Sequence, residues 1–402
     1  MNTILELVQK ETERQAQTIR LIASENYVSQ DILTALGSHL TNKYSEGYPY
    51  HRYYEGQEYI DQIEVRTIEA AKKLFGAQFA NVQAYSGSPA NLAVYFALLN
   101  PHDTIIGLAL PSGGHLTHGH KVSISGKWLN SISYGLNSDG YIDYESLEQL
   151  ALEHKPKLII SGHSAYPRQV DFKRIGEIAK KVGAYHLADI SHISGLVATG
   201  LHPHPFPHAD IITTTTHKVL RGPRGALILT NNQEIATKID KAVFPGLQGG
   251  PHNNNIAGIG IALEEALQPE YTEYCHQVIR NAQALAQALI NKGFTIVSGG
   301  TENHLVLVDL RNKHIDGDTL SKALNAVHIE TNKNSIPFDT ASPFKPNGVR
   351  LGTPAVTTLG LKEADMETIA DFINQVIEAI DNPEALAHIK EHVITFITQF
   401  QQ

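Results

Sequence analysis

Short apolar runs bounded by turn residues, with longer stretches of helical period between them, set the fold class of this chain. The runs fall at residues 80–83, 104–108, 157–161, 185–188, 210–213 and 226–229. Each is too short to be a buried helix and predicts a buried strand. Residues 90–99, 144–154 and 174–182 repeat apolar side chains three and four apart and predict helices between them. This alternation is the pattern of an α/β domain with helices laid on a mostly parallel sheet. A further helical segment runs over 255–267, and beyond Pro269 the pattern restarts with a helix, strands at 295–298 and 305–310, and terminal helices. Residues 1–23 read as an amphipathic helix carrying Glu6, Glu11, Glu13 and Arg14. The expected organisation is a helical arm over 1–24, a large domain over 25–269 and a smaller domain over 270–402.

Charge and cysteine usage narrow the function classes. A formal net charge of -9 disfavours non-specific attraction to nucleic acid or to an anionic membrane surface, so an anionic ligand has to be met by local donors. The lone Cys275 has no partner for an internal disulfide, which fits a reducing compartment. No signal-peptide pattern opens the chain and no apolar run nears the roughly 20 residues of a membrane span, so a cytoplasmic location is expected. Histidine is abundant, at 21 of 402 residues. The clusters His115-x-x-His118-x-His120 and His202-x-His204-x-x-x-His208 lack a completing carboxylate or cysteine, and a metal is not expected.

The residues with chemical promise lie at the predicted strand ends. Thr213-Thr214-Thr215-Thr216-His217-Lys218 finishes one strand with a hydroxyl-rich, β-prone run and then a lysine. Desolvated there, a lysine amine can attack an aldehyde, whereas read alone it is a solvated loop residue. Asp189 ends the run from Tyr185, where a carboxylate could pair with a protonated pyridine nitrogen or simply cap a helix. His192 follows three residues on. Tyr85-Ser86-Gly87-Ser88-Pro89-Ala90-Asn91 follows a strand and opens a helix, with Ser88 suited to the N-cap and Pro89 to the first helical position. Its amides and hydroxyls could hold an anion. Gly249-Gly250 offers a second amide-rich turn, and Ser112-Gly113-Gly114-His115 could bring an imidazole flat over a planar group because paired glycines permit close approach. Together, lysine, aspartate, anion turn and aromatic lid are the parts that a pyridoxal-phosphate (PLP) site requires.

At this point the chain resembles the serine hydroxymethyltransferase family along essentially its whole length. The resemblance rests on Leu21-Ile22-Ala23-Ser24-Glu25-Asn26-Tyr27, Asn42-Lys43-Tyr44-Ser45-Glu46-Gly47-Tyr48-Pro49, Gly113 through Gly119, Thr213 through Lys218, Asn332-Lys333-Asn334-Ser335 and Val349 through Ala355. It implies the fold-type I, aspartate aminotransferase-like architecture: a mostly parallel seven-stranded sheet in the large domain and a smaller α+β C-terminal domain. It also implies PLP as cofactor, tetrahydrofolate as co-substrate, and serine and glycine as substrates. By position, Lys218 resembles the lysine that holds the cofactor as a Schiff base, Asp189 the pyridinium partner and His115 the ring-stacking histidine. Ser164 and His192 resemble the residues near the phenolic oxygen, and Ser86, Gly87 and Ser88 those on the phosphate. Thr215 and His217 look like orienting residues. Arg350 resembles the partner of the substrate carboxylate, a task its planar fork suits, with Ser24 among the substrate positions. Glu46 looks like the carboxyl group beside the hydroxymethyl and the folate, and Tyr44 and Tyr54 line the same pocket. Leu110, Gly114, Leu116 and Asn334 match folate positions. In the family Glu46, Tyr44, Tyr54 and the turn at Gly250 are lent by the neighbouring subunit, which implies a homodimer with shared sites. The chain departs from the family pattern at Glu55, where glycine is usual, at Leu359, where arginine is usual, and at Tyr50, Ser112 and His120. These departures leave open a paralogue acting on another β-hydroxy or α-substituted amino acid, with or without folate.

Overall fold

A computed structural model describes residues 3–400 and divides them into two compact units, each with its own core. One comprises residues 26–164 and 169–275, the other residues 1–25, 165–168 and 276–402. In the first, the predicted runs form strands β1 (Phe79–Asn81), β2 (Thr104–Leu108), β4 (Leu158–Gly162), β5 (Tyr185–Asp189), β6 (Ile211–Thr215) and β7 (Ala226–Thr230), joined by β3 (Asn130–Tyr134). The seven-stranded sheet has the order β1-β7-β6-β5-β4-β2-β3. Pairings from β6 through β5, β4 and β2 to β3 are parallel, and β7 runs antiparallel to both its neighbours. This is the α/β, fold-type I architecture. Strands β4, β6 and β7 are buried along their whole length, which is why they read as continuous apolar or β-branched runs. β3 gives no such signal. It is an edge strand, Asn-Ser-Ile-Ser-Tyr, in which only Tyr134 is buried.

Helices α1 (Gln30–Leu36), α2 (Glu58–Phe75), α3 (Gly87–Leu98) and α4 (Asn253–Ala266) belong to the same unit. Ala90, Ala93, Val94 and Tyr95 of α3 pack with Ile105, Leu158, Ile160, Leu187, Ile211 and Ile228 of the sheet. The parallel pairing sets Gly162 and Asp189, the last residues of β4 and β5, beside Thr213 of β6, at the edge where open α/β sheets take their ligands. Gly162 is required in that row. Its φ is +108°, and a Cβ there would stand 1.9 Å from the Asp189 carbonyl oxygen.

The second unit is built on a four-stranded antiparallel sheet of β8 (Thr295–Ile296), β9 (Leu305–Asp309), β10 (Asn332–Asn334) and β11 (Gly348–Gly352), in the order β8-β9-β11-β10. Helices Gly317–Ala326, Glu363–Glu378 and Pro383–Thr398 contribute Leu320, Leu324, Ile369, Ile373, Val393 and Ile397 to its core. The strand expected over 295–298 stops at Ile296, because Ser298 turns to φ +57°. The amphipathic helix expected over 1–23 is shorter too. It covers Thr3–Ala16, and Ile19–Arg20 instead pair in parallel with Ile329–Glu330. Sheet pairing captures the β-branched Ile19, and local helical pattern loses. Residues 1–2 lie outside the described part. Helix Pro269–Asn291 contains the boundary between the units, at Cys275/His276.

The loop over 43–47 is fastened by its carbonyls. Asn253 Nδ2 donates to Lys43 O at 2.7 Å, Gln57 Nε2 to Tyr44 O at 3.0 Å and the Tyr53 amide to Glu46 O at 3.1 Å. Arg52 Nη1 donates to Ser45 O and Gly47 O at 2.9 and 3.0 Å, and Gln83 Nε2 reaches Gly47 O at 2.9 Å. The Arg52 side chain is only 3% exposed, and its other donors meet Asp61 at 2.8 Å and Glu64 at 2.6 Å. One guanidinium thus ties the loop to two buried carboxylates on α2. Truncating it strands both. Arg52→Ala is expected to lose about 3–5 kcal/mol of stability, read by chemical denaturation, with faster amide exchange over 43–54. A loss under about 1 kcal/mol would show that the loop is held elsewhere.

Candidate active site

Asp189 is the last residue of β5 and is 6% exposed. Its Oδ2 accepts from Asn91 Nδ2 at 2.9 Å and from His118 Nε2 at 3.0 Å, and its Oδ1 accepts from the Ser191 amide at 3.1 Å. Burial alone would raise the carboxyl pKa. The donors on it, His118 foremost, outweigh that and hold it far below the usual carboxylate range. An ionised carboxylate is therefore fixed at the sheet edge. Ser191 also ties β6 to this point, since its Oγ accepts from the Thr215 amide at 3.1 Å and its carbonyl accepts from Thr215 Oγ1 at 3.4 Å. His192, next in sequence, is buried.

The anion turn sits on the same wall, with a shift in helix register. α3 begins at Gly87, with Ser86 as the N-cap residue and Pro89 at the third helical position. The expectation of Ser88 as cap and Pro89 as first residue is thus two residues late. Proline is tolerated throughout a first turn, because none of those amides has an intrahelical acceptor, and so it marks the turn without fixing the start. Ser86 makes no side-chain cap bond, which leaves its hydroxyl for another acceptor. Gly87 abuts β6 closely: a Cβ there would stand 2.7 Å from Thr215 Cγ2.

The turn that follows β2 is bonded to the same wall through Thr117 and His118. The Ser164 amide donates to Gly113 O at 2.7 Å, bringing Ser164 beside Gly113-Gly114-His115. A Cβ on Gly114 would stand 1.9 Å from Leu108 O, so the turn lies flat on the end of β2. His115 is half-buried, and burial, with His118 nearby, lowers its pKa to about 4. Leu110 and Leu116 stand out from the same turns with 38% and 43% of their surface exposed.

Lys218 does not follow β6 directly. The strand stops at Thr215, and Lys218 lies three residues on, in a tight turn where the Arg221 amide returns to Lys218 O at 3.1 Å. Asn26 Nδ2 donates to the same carbonyl at 2.9 Å and to Tyr274 Oη at 2.8 Å. Tyr271 Oη donates to Val219 O at 2.9 Å, and the Arg221 guanidinium lies 4.3 Å from the Tyr274 ring centroid. The lysine backbone is clamped from several sides. Among the described residues His217 Nδ1 is buried with no hydrogen-bond partner, and burial, with Lys218 and Arg224, lowers this ring's pKa to about 3.

Tyr44, Glu46, Tyr54 and Gly250 gather on the fastened loop and its neighbour. Tyr54 Oη donates to Glu46 Oε2 at 3.3 Å, and the Tyr44 and Tyr54 rings meet edge to face at 5.7 Å. A Cβ on Gly250 would touch the Tyr44 ring at 3.0 Å, and Gly250 O accepts from Tyr85 Oη at 2.7 Å. Tyr44 and Tyr54 are nevertheless 58% and 48% exposed. In the other unit Arg350 sits mid-strand in β11, between Leu307 and Asn332, and is 9% exposed. Its Nε donates to Asn332 Oδ1 at 2.9 Å, and burial lowers its pKa to about 10. Ser24 follows Ala23, which packs against Gly352 at the end of this strand. Asn334 ends β10, its Nδ2 donating to Ser335 O at 2.6 Å.

Asn91, Thr117, His118 and Ser191 join this network without having been singled out as site residues in the sequence. Asn91 lies 98 positions from Asp189, so nothing local signals the contact. The wall suits PLP: an ionised carboxylate for a protonated ring nitrogen, a helix start with an unspent N-cap hydroxyl for a phosphate, and a half-buried imidazole on a close-packed glycine turn.

Comparison with known proteins agrees with this geometry. The family model described as Serine hydroxymethyltransferase matches residues 2–373. A serine hydroxymethyltransferase of Desulfotalea psychrophila is 56% identical over 397 residues, covering 99% of this chain and 93% of its own. Those of Acidothermus cellulolyticus and Bartonella henselae are 55% and 57% identical, covering 97% and 93% of this chain and 92% and 86% of theirs. The chain belongs to the serine hydroxymethyltransferase family.

Proposed function

We propose that this protein is a PLP-dependent serine hydroxymethyltransferase, transferring the hydroxymethyl carbon of serine reversibly to tetrahydrofolate to give glycine and 5,10-methylenetetrahydrofolate. The observation that carries the reading is the ionised Asp189 beside the anion-receptive start of α3, in a chain of this family. The relatives' names favour serine over the paralogue reading, in which another β-hydroxy amino acid is the substrate.

Bound there, the cofactor supplies an electron sink for the pair left on the amino-acid α-carbon when the Cα–Cβ bond breaks. The chain's residues do the rest. Lys218 would hold the cofactor through its Nζ, and Thr215 and His217 would orient that amine. Asp189 would keep the ring nitrogen protonated, His115 would cover the ring, Ser164 and His192 would meet the phenolic oxygen, and Ser86, Gly87 and Ser88 would take the phosphate. Arg350, with Ser24, binds the substrate carboxylate. Glu46, steadied by Tyr54, moves the proton passing between the hydroxymethyl oxygen and the folate. Leu110, Gly114, Leu116 and Asn334 receive the folate.

The working unit in this reading is a homodimer in the cytoplasm. The exposed Tyr44, Tyr54, Tyr53 and Tyr59, beside an apolar groove of about 1160 Å³ lined by Ala35, Leu40, Tyr59 and Ile261, support a second copy as what covers this face. Glu46, Tyr44, Tyr54 and Gly250 then serve the neighbouring subunit's site. A single cysteine, buried with its thiol pushed up to about 12, supports a reducing compartment. Among the described residues no helix is long and apolar enough to cross a membrane. Net charge of -9 supports small-molecule partners over nucleic acid or membrane.

Borohydride reduction followed by peptide mapping should fix the cofactor on Lys218, and a label on another lysine would overturn that role. Arg350→Ala should lose on the order of 2 to 5 kcal/mol in kcat/KM for serine. Unchanged serine kinetics would remove Arg350 from the site. Mixing inactive Lys218→Ala chains with inactive Glu46→Ala chains should restore activity, because a heterodimer holds one site with both lesions and one with neither. Counting sites gives a ceiling of about a quarter of wild type. No recovery despite heterodimers detected by mass spectrometry would place Glu46 in its own subunit's site.

A further inference from the structure

The hydrogen bonds around Asp189 run in one direction, and that direction fixes a proton on His115. The Thr117 amide donates to His115 Nδ1 at 3.2 Å, so Nδ1 carries a lone pair. Thr117 Oγ1 lies 2.7 Å from the same nitrogen. That hydroxyl already accepts from Asn91 Nδ2 at 2.9 Å, which turns its own proton toward His115. The second Asn91 Nδ2 proton goes to Asp189 Oδ2 at 2.9 Å, and Asn91 Oδ1 accepts from Thr213 Oγ1 at 2.7 Å. The amide cannot be flipped. Its oxygen would then face an ionised carboxylate, which has no proton to give. Asn91 is 1% exposed and Thr117 5%, so water has little access with which to rearrange the chain.

We propose that Asn91 and Thr117 are positioning residues that lock His115 as its neutral Nε2–H tautomer while holding Asp189 in place, so that the imidazole and the carboxylate are set by a single amide. His115 then offers a donor, never an acceptor, at Nε2, and an oxygen acceptor that reaches that nitrogen is bonded without a proton having to move. This rests on the reading that His115 and Asp189 serve the cofactor. The tautomer itself is a property of the chain alone.

Selective ¹⁵N-histidine labelling of the full-length protein tests it. His115 is assigned by the signal lost in His115→Gln, and long-range proton–nitrogen correlations separate the two tautomers. The wild type is expected to show Nε2 protonated and Nδ1 bare. Thr117→Ser keeps the hydroxyl and should keep that pattern. Thr117→Val removes it, and Asn91→Asp keeps the shape but lets the Thr117 hydroxyl donate to the new carboxylate instead. Both should shift the Nδ1 resonance and admit the second tautomer. An Nδ1–H ring in the wild type overturns the proposal, as does a pattern unmoved in Thr117→Val and Asn91→Asp alike. If Asn91→Asp does not fold, the wild type and the Thr117 pair still decide. In a second arm, absorbance titration with PLP should give a dissociation constant roughly tenfold or more higher for Asn91→Asp, since two adjacent carboxylates compete for one proton. Tight binding by that variant would remove Asn91 from control of Asp189. Wild-type protein that binds no PLP would refute the proposed function and leave the tautomer result standing.

Discussion

A buried carboxylate with no cationic arginine or lysine bonded to it is costly, and the sheet edge is arranged around meeting that cost at Asp189. An amide, an imidazole and a backbone N–H converge on its two oxygens. Each donor comes from a different element: Asn91 from α3, His118 from the turns after β2, Ser191 from the chain leaving β5. Satisfying one charge therefore docks three segments onto the end of the sheet. It also explains the crowding there, since Gly87 and Gly162 have no room for a side chain. In such a network removing one donor leaves a charged acceptor short, so its members act as a unit.

The loop over 43–47 solves the opposite problem. It has few apolar side chains to anchor it, and its tyrosines face outward. Order comes instead from Arg52, from Gln57 at the cap of α2, from Asn253 at the start of α4 and from Gln83 after β1, which donate to its carbonyls in turn. Arg52 supplies two of these bonds with one nitrogen and spends the remainder of its fork on Asp61 and Glu64. An ammonium could replace the charge but not the directed set of donors. The result is a platform held through its backbone, with Glu46 and Tyr54 on an exposed aromatic face.

Much of this was legible in the sequence where the signal is local. Fully buried strands announce themselves as apolar or threonine runs, and Asp189 and Lys218 were found because they end or follow such runs. Strand β3 escaped because an edge strand alternates toward solvent and shows polar residues. The start of α3 was misplaced because proline and serine suit several positions of a first turn. Ile19–Arg20 left the predicted helix because their partners, Ile329–Glu330, are some three hundred residues away. Arg52, Asn91 and Thr117 fall in the same class: an arginine in a tyrosine-rich loop and an asparagine in a helix carry no mark of the carboxylates they hold until the chain has folded.

Protonation follows from this packing and narrows which groups can carry protons. Burial disfavours the imidazolium of His115 and His217 and lowers their pKa values to about 4 and about 3, so both rings are neutral across the neutral range. Asp189 is ionised throughout that range, and Arg350 keeps its charge to about pH 10 although buried. These four groups hold one protonation state across neutral pH. They can orient, cover and neutralise, but proton transfer through them would work against the environment that fixes them. In the proposed reaction that leaves the Lys218 amine, the Glu46 carboxyl with its Tyr54 neighbour, and the substrates themselves. Glu46 and Tyr54 belong to the exposed loop. The fold therefore keeps His115, His217 and Asp189 buried, each in one charge state, while Glu46 and Tyr54 lie on a tyrosine-lined edge that is exposed in the single chain.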